Sequence, residues 1–397
     1  MNEQSTNKEA ITCLLNTIPE TLDSSAFAFA DKQRANTVFN FHSSLPNYAP
    51  TPLVKLSSLA DYLGIKDILI KDESKRFDLN AFKVLGASFA IAKYLGDFLG
   101  LNEEDITFSK IVDKQAMYQH ITFVTATDGN HGRAVAWSAK LFGCKAVVYM
   151  PKGSSPARLE AIKNYAAEAS ITAQNYDDTV NYANQQAQKE GWILIQDTAW
   201  QGYEKIPLQI MQGYFTLVTE YLQQEQTIWP THVFVQAGVG SLPAAILAHL
   251  CNLSDRPMPK FIVVEAQGAP CLYESKRMNE LTRVEGDLLT IMAGLACGKP
   301  SLIAWDILKS AASAFIACSD DIARRGMRVL GNPLAGDQRV TSGESGSVTL
   351  GALFEILSNK NFSTIKEELK FNSDSSVMLF STEGDTDPEV YRDIVWS

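Results

Sequence analysis

The chain predicts an α/β protein of two interleaved domains, each an open, mostly parallel, twisted sheet flanked by helices. Two observations carry this. From residue 121 onward, short apolar runs alternate with amphipathic helical segments, the pattern of repeated β-α-β units. The 397 residues exceed one ordinary domain, yet no repeat, low-complexity tract or long linker cuts them into separate beads.

The elements follow in order. Residues 121–126 read as a strand, 127–133 as a tight polar loop, and 134–137 as the start of a helix. Strands are next expected at 146–150, 171–174 and 192–196, each followed by a helix, from Pro156, Asp177 and Pro207 respectively. Ser154-Ser155-Pro156 and Asp177-Asp178 supply plausible helix starts. The rhythm resumes with a strand at 231–235, the loop 236–241, a helix from Leu242, and a strand at 261–264. Residues 254–302 are broken by Gly268, Pro270, Gly286, Gly294, Gly298 and Pro300 and read as irregular backbone.

Composition removes several classes of function. A net charge of -10 without a run of Lys or Arg argues against a protein that grips nucleic-acid phosphates. The polar first ten residues lack a secretory pattern, and the longest apolar stretch is too short for a membrane span, so a cytoplasmic protein is expected. Six scattered cysteines include no CxxC, and no spacing calls for a metal; whether Cys271 and Cys297 pair is left open.

Chemistry is signalled first by Asn80-Ala81-Phe82-Lys83-Val84-Leu85-Gly86-Ala87, which plants one lysine among apolar and small residues. Desolvation favours the free amine, the form that makes a Schiff base with an aldehyde cofactor. Two loops support it. Thr127-Asp128-Gly129-Asn130-His131-Gly132-Arg133 and Gln236-Ala237-Gly238-Val239-Gly240-Ser241 each join a strand to a helix and offer backbone N–H groups at a helix N-terminus.

Together these segments resemble the fold-type II (tryptophan-synthase-β-like) family of pyridoxal-phosphate enzymes. Within it the chain is most similar to the diaminopropionate ammonia-lyases, through blocks such as Arg76-Phe77-Asp78-Leu79-Asn80-Ala81-Phe82-Lys83, Gln196-Asp197-Thr198-Ala199-Trp200, Ser342-Gly343-Glu344-Ser345-Gly346 and Ser381-Thr382-Glu383-Gly384-Asp385. The resemblance implies pyridoxal 5'-phosphate as cofactor, a homodimer, and α,β-elimination of 2,3-diaminopropionate to pyruvate and two ammonia. It assigns the Schiff base to Lys83, the contact to the ring hydroxyl oxygen to Asn130, and the phosphate cradle to Gly238, Val239, Gly240, Ser241 and Leu242. The pyridine nitrogen would meet Ser381, with Thr382 the near alternative. Residues 1–84 and 196–397 would form the large cofactor-binding domain, and 85–195 a small inserted domain. Three positions depart from the family: Asp78 and Ala87 stand in place of glycines, and Ser241 in place of a smaller or apolar residue.

Asp128 occupies a position where many related dehydratases carry serine. A carboxylate there provides a base on the face opposite Lys83, so both D and L substrates are expected to react. Asp197 ends a predicted strand and would hold the substrate's distal ammonium; helix capping is the rival reading. Thr127, Asn130 and His131 are candidates for the substrate carboxylate. Glu344 is a candidate substrate contact, with a plain helix cap as its rival. Three alternative functions stay open. One is a serine or threonine dehydratase. Another is a nicotinamide oxidoreductase, suggested by Gly238-Val239-Gly240 with Glu265 ending the next strand. The third is an inactive cofactor-binding regulator.

Overall fold

The computed structural model describes residues 10–19, 22, 24–127, 129–253 and 256–397. Eleven strands among them form two sheets: β1 (Ile11–Leu15), β2 (Leu53–Lys55), β3 (Asp67–Asp72), β4 (Thr122–Ala126), β5 (Lys145–Met150), β6 (Glu168–Ile171), β7 (Ile193–Leu194), β8 (His232–Gln236), β9 (Lys260–Ala266), β10 (Ala314–Cys318) and β11 (Ser376–Ser381). The larger sheet has the order β1-β10-β9-β8-β11-β3-β2 and the smaller one β6-β5-β4-β7.

Parallel pairing dominates, as the alternation of apolar runs with helices requires. Only the outermost pairs of the large sheet, β1 with β10 and β2 with β3, run antiparallel. The inner strands β8, β10 and β11 are buried along their whole length, and β9 is buried beyond Lys260. Their continuous Val, Ile and Phe content is that of strands covered by helices on both faces. In the small sheet the centre is likewise buried, whereas β6 is a largely exposed edge.

Three expected elements shift. The strand expected at 171–174 lies at Glu168–Ile171, because Thr172 is already leaving the edge while still donating to Met150 O. The strand expected at 192–196 is regular only at Ile193–Leu194. The helix expected from Pro207 begins earlier, at Lys205, with Pro207 inside its first turn. Asn175, not the Asp177-Asp178 pair, caps helix Tyr176–Glu190 by accepting from Asp178 N–H. No described helix is long and apolar enough to cross a membrane.

The topology brings the carboxyl ends of β3, β4, β7, β8 and β11 toward one crevice, where side chains leaving a parallel sheet converge. Helix Val84–Phe98, buried over most of its surface, crosses helix Lys205–Gly213 closely. A Cβ at Gly213 would stand 2.4 Å from Leu85 O, so only glycine permits the approach. That crossing sets Tyr214, the next residue, against the turn that carries Lys83.

Candidate active site

A cavity of about 940 Å³ lies between the sheets, lined by Lys83, Asn130, Asp197, Gly238, Thr382 and Glu383 among others. Lys83 enters at the N-terminus of helix Val84–Phe98, where the partial positive charge of the helix is unfavourable to an ammonium. Asp197 offsets this: its Oδ2 accepts from Lys83 Nζ at 2.6 Å, with side chains 6% and 18% exposed respectively. Burial alone would raise the Asp197 carboxyl, but the charges of Lys83 and His131 prevail and hold it at about 2. With Lys83 beside it, Asp197 is a carboxylate. No helix begins beside it, the next starting at Lys205, which removes the capping role.

The turn before Lys83 is strained. Phe77, Asp78 and Asn80 all have φ between +50° and +57°, a region costly for residues with a side chain. Asp78 thus takes the backbone conformation for which glycine is the usual residue. A buried ion cluster anchors the turn. Arg76 donates to Glu73 at 2.8 Å and to Glu220 at 2.7 Å, and Lys71 meets Glu220 at 2.6 Å, all four side chains being fully buried.

The loop after β8 leads into helix Ser241–Cys251, whose first N–H groups have no partner within the helix. Gly240 has φ +96°, and a Cβ there would lie 3.1 Å from Ala304 Cβ and Leu272 Cδ1. At Gly238 a Cβ would meet Gly294 O at 3.0 Å and Cys297 Sγ at 3.1 Å. The result is a cradle of bare backbone donors at a helix N-terminus, the chemistry of a phosphate site. Val239, Ser241 and Leu242 line the same wall, and Ser241 Oγ donates to Asp197 O at 2.6 Å. A cofactor bearing a phosphate, an aldehyde and an aromatic ring fits a cavity with this cradle and a half-buried lysine. No disulfide joins any of the six cysteines, Cys271 and Cys297 included.

Across the cavity, Thr127 Oγ1 accepts from Gly129 N–H at 2.9 Å and from Gly132 N–H at 3.1 Å, which shapes the loop that opens helix Asn130–Phe142. Asp128 lies outside the described residues. His131 Nε2 donates to Ile195 O at 2.8 Å, while its Nδ1 faces Asp197 Oδ2 at 3.9 Å. The Asn130 amide donates to Glu383 Oε2 at 2.6 Å.

Beyond β11, Thr382 lines the cavity, whereas Ser381 is not among its lining residues and its hydroxyl is turned to Glu383 O at 3.5 Å. Glu344 opens helix Glu344–Ser358 and also faces the cavity. Burial, then the nearby Glu383, pushes its carboxyl up to about 7. Glu265, the acid a nicotinamide site would need, is buried and accepts from Leu272 N–H at 2.8 Å and Tyr273 N–H at 2.6 Å. It is committed to the start of helix Cys271–Met278, which withdraws it from any ribose.

Sequence reading missed Glu383, Tyr214 and the pair Arg283–Asp177, which spans the cavity wall at 2.9 Å. Glu383 was within reach as part of the Ser381–Asp385 block; Tyr214 carried no local signal.

Comparison with known proteins agrees with this geometry. The family described as pyridoxal-phosphate dependent enzyme matches residues 45–367. The diaminopropionate ammonia-lyase of Escherichia coli (strain K12) is 47% identical over 367 residues, 92% of each chain. The crystal structure of the Escherichia coli enzyme in complex with an aminoacrylate-PLP azomethine reaction intermediate superposes with a TM-score of 0.90 at 44% identity, covering 97% of both chains. That of its D-serine complex gives a TM-score of 0.91, again at 44% identity and 97% of both chains. The chain belongs to the pyridoxal-phosphate-dependent enzymes and, within them, to the diaminopropionate ammonia-lyase family.

Proposed function

We propose that the protein converts D- and L-2,3-diaminopropionate to pyruvate and two ammonia by α,β-elimination. The observation that carries this is the Lys83–Asp197 pair, a half-buried lysine on a buried carboxylate, in a cavity whose opposite wall is a phosphate cradle. Pyridoxal phosphate, when bound, supplies the electron sink that lets the Cα–H bond break.

Lys83 would hold the cofactor through Nζ, the 238–242 loop would hold its phosphate, and Asn130 would donate to its ring oxygen. For the pyridine nitrogen, Thr382 is favoured over Ser381 because only Thr382 lines the cavity. With Lys83 Nζ committed to the cofactor, Asp197 is left as a buried carboxylate facing the cavity. The distal ammonium of diaminopropionate is the partner that replaces the lysine's, and Asp197 keeps that amine protonated as it departs. Thr127, His131 and the backbone N–H of Asn130 take the substrate carboxylate, with Glu344 as a further contact. Lys83 accepts the Cα proton of one enantiomer and Asp128 that of the other. The released 2-aminoacrylate hydrolyses to pyruvate and the second ammonia.

We also assign residues 1–84 and 196–397 to the large domain and 85–195 to the small one, each holding one of the two sheets apart from their helical flanks. A cytoplasmic homodimer completes the reading. The test is kcat/KM of the purified, cofactor-saturated protein for diaminopropionate against L-serine. Preference for diaminopropionate is expected. Robust serine turnover with none of diaminopropionate would make the enzyme a dehydratase.

A further inference from the structure

The segment bearing Lys83 is zipped to the segment that follows β11. Phe82 N–H donates to Thr382 O at 3.0 Å, Gly384 N–H donates to Asn80 O at 3.0 Å, and Ala81 bridges Glu383 between them. Glu383 is therefore fixed by its backbone to the lysine's own turn. Gly343 N–H also donates to Glu383 O at 3.0 Å.

From that anchored position its side chain reaches in two directions. Oε1 accepts from Ser345 N–H at 3.1 Å, in the first turn of helix Glu344–Ser358, where a carboxylate is favoured by the unpaired N–H groups. Oε2 accepts from Asn130 Nδ2 at 2.6 Å. Asn130 follows β4 of the small sheet, and Ser345 and Glu383 flank the large one. One carboxylate therefore joins both halves of the cavity wall.

We propose that Glu383 is a positioning residue that fixes which end of the Asn130 amide faces the cofactor's ring oxygen; this rests on the Asn130 contact proposed above. An amide carries an acceptor at one end and two donors at the other. A carboxylate can only accept, so Glu383 selects the orientation in which Nδ2 lies toward it. One hydrogen on that nitrogen is then engaged, and the second is the donor for the phenolic oxygen. The flipped amide would set Oδ1 against Glu383, and carbonyl oxygen against phenolate. Glu383 thus excludes the orientation that would repel the cofactor, and it does so from the same backbone that places Lys83.

A double-mutant cycle tests this. Wild type, E383A, N130A and the double variant are compared by cofactor dissociation constant, visible absorption of the holoenzyme, and thermal midpoint of the resolved apoprotein. E383A is expected to weaken cofactor binding about tenfold, the scale of one lost charge-assisted hydrogen bond, and to move the visible band. E383Q, which keeps an oxygen acceptor, recovers most of both. In the N130A background, E383A should change the dissociation constant by less than about twofold, the limit of ordinary non-coupling. An undiminished effect of E383A in that background, or a silent E383A beside an impaired N130A, overturns the proposal alone. An N130A enzyme with wild-type affinity and absorption overturns the Asn130 contact and the proposal with it. Should E383A fail to fold, E383M preserves the bulk and carries the same cycle.

Discussion

Asp197→Asn separates recognition of the distal ammonium from the rest of catalysis. The side chain keeps its shape and loses its charge. The size of the effect follows from the lysine pair, a charge-assisted hydrogen bond of 2.6 Å on the cavity wall. The substrate's ammonium occupies the place of the lysine's, so loss of one such bond, worth about 2 kcal/mol, weakens diaminopropionate binding roughly 30-fold. L-Serine has no distal cation, and its KM stays within about threefold of wild type, the scatter of an uncharged contact. Initial rates of pyruvate release over a range of each substrate measure both values. Equal changes for the two substrates, or an unchanged KM for diaminopropionate, would refute the reasoning.

Other substitutions probe the scaffold. Arg76→Leu leaves Glu73 and Glu220 buried with Lys71 as their remaining cation, and should cost about 3–5 kcal/mol in urea denaturation; a loss below about 1 kcal/mol, that of an exposed pair, contradicts a structural role for the cluster. Gly240→Ala forces a side chain into φ +96° and toward Ala304 and Leu272. Cofactor affinity should fall by about tenfold, from a strain of 1–2 kcal/mol, as read by titrating the apoprotein; an unchanged affinity would show that the loop does not hold the phosphate. Asp128→Asn should abolish turnover of one enantiomer of diaminopropionate and spare the other, so equal loss on both would end the division of labour with Lys83.

The lysine, the glycine loop and Asp197 were legible because each breaks a local pattern. Lys83 interrupts an apolar run, Gly238 and Gly240 sit between a strand and a helix, and Asp197 follows the apolar run 192–195. Strands β1, β2, β3, β10 and β11 were not foreseen: β2 has only three residues, too few to show a period, and β1 and β2 are the edges that break the parallel rule. Glu73 and Arg76 carry no local sign of burial, yet both are buried, since their partner Glu220 lies 144 positions beyond Arg76. Glu383 shows the same limit: it meets Asn130 across 253 residues, and only the closing of one sheet upon the other creates that contact. Local sequence thus announces groups that line the cavity, whereas the contacts that tie them together emerge from tertiary packing.

The central claim is loss of both amino groups of one substrate, the β-amine by elimination and the α-amine by hydrolysis, and it is tested by counting ammonia against pyruvate for D- and L-diaminopropionate, each with the purified holoenzyme. Two ammonia per pyruvate from both enantiomers is the predicted result. One ammonia per pyruvate, or no pyruvate from either enantiomer, would contradict it.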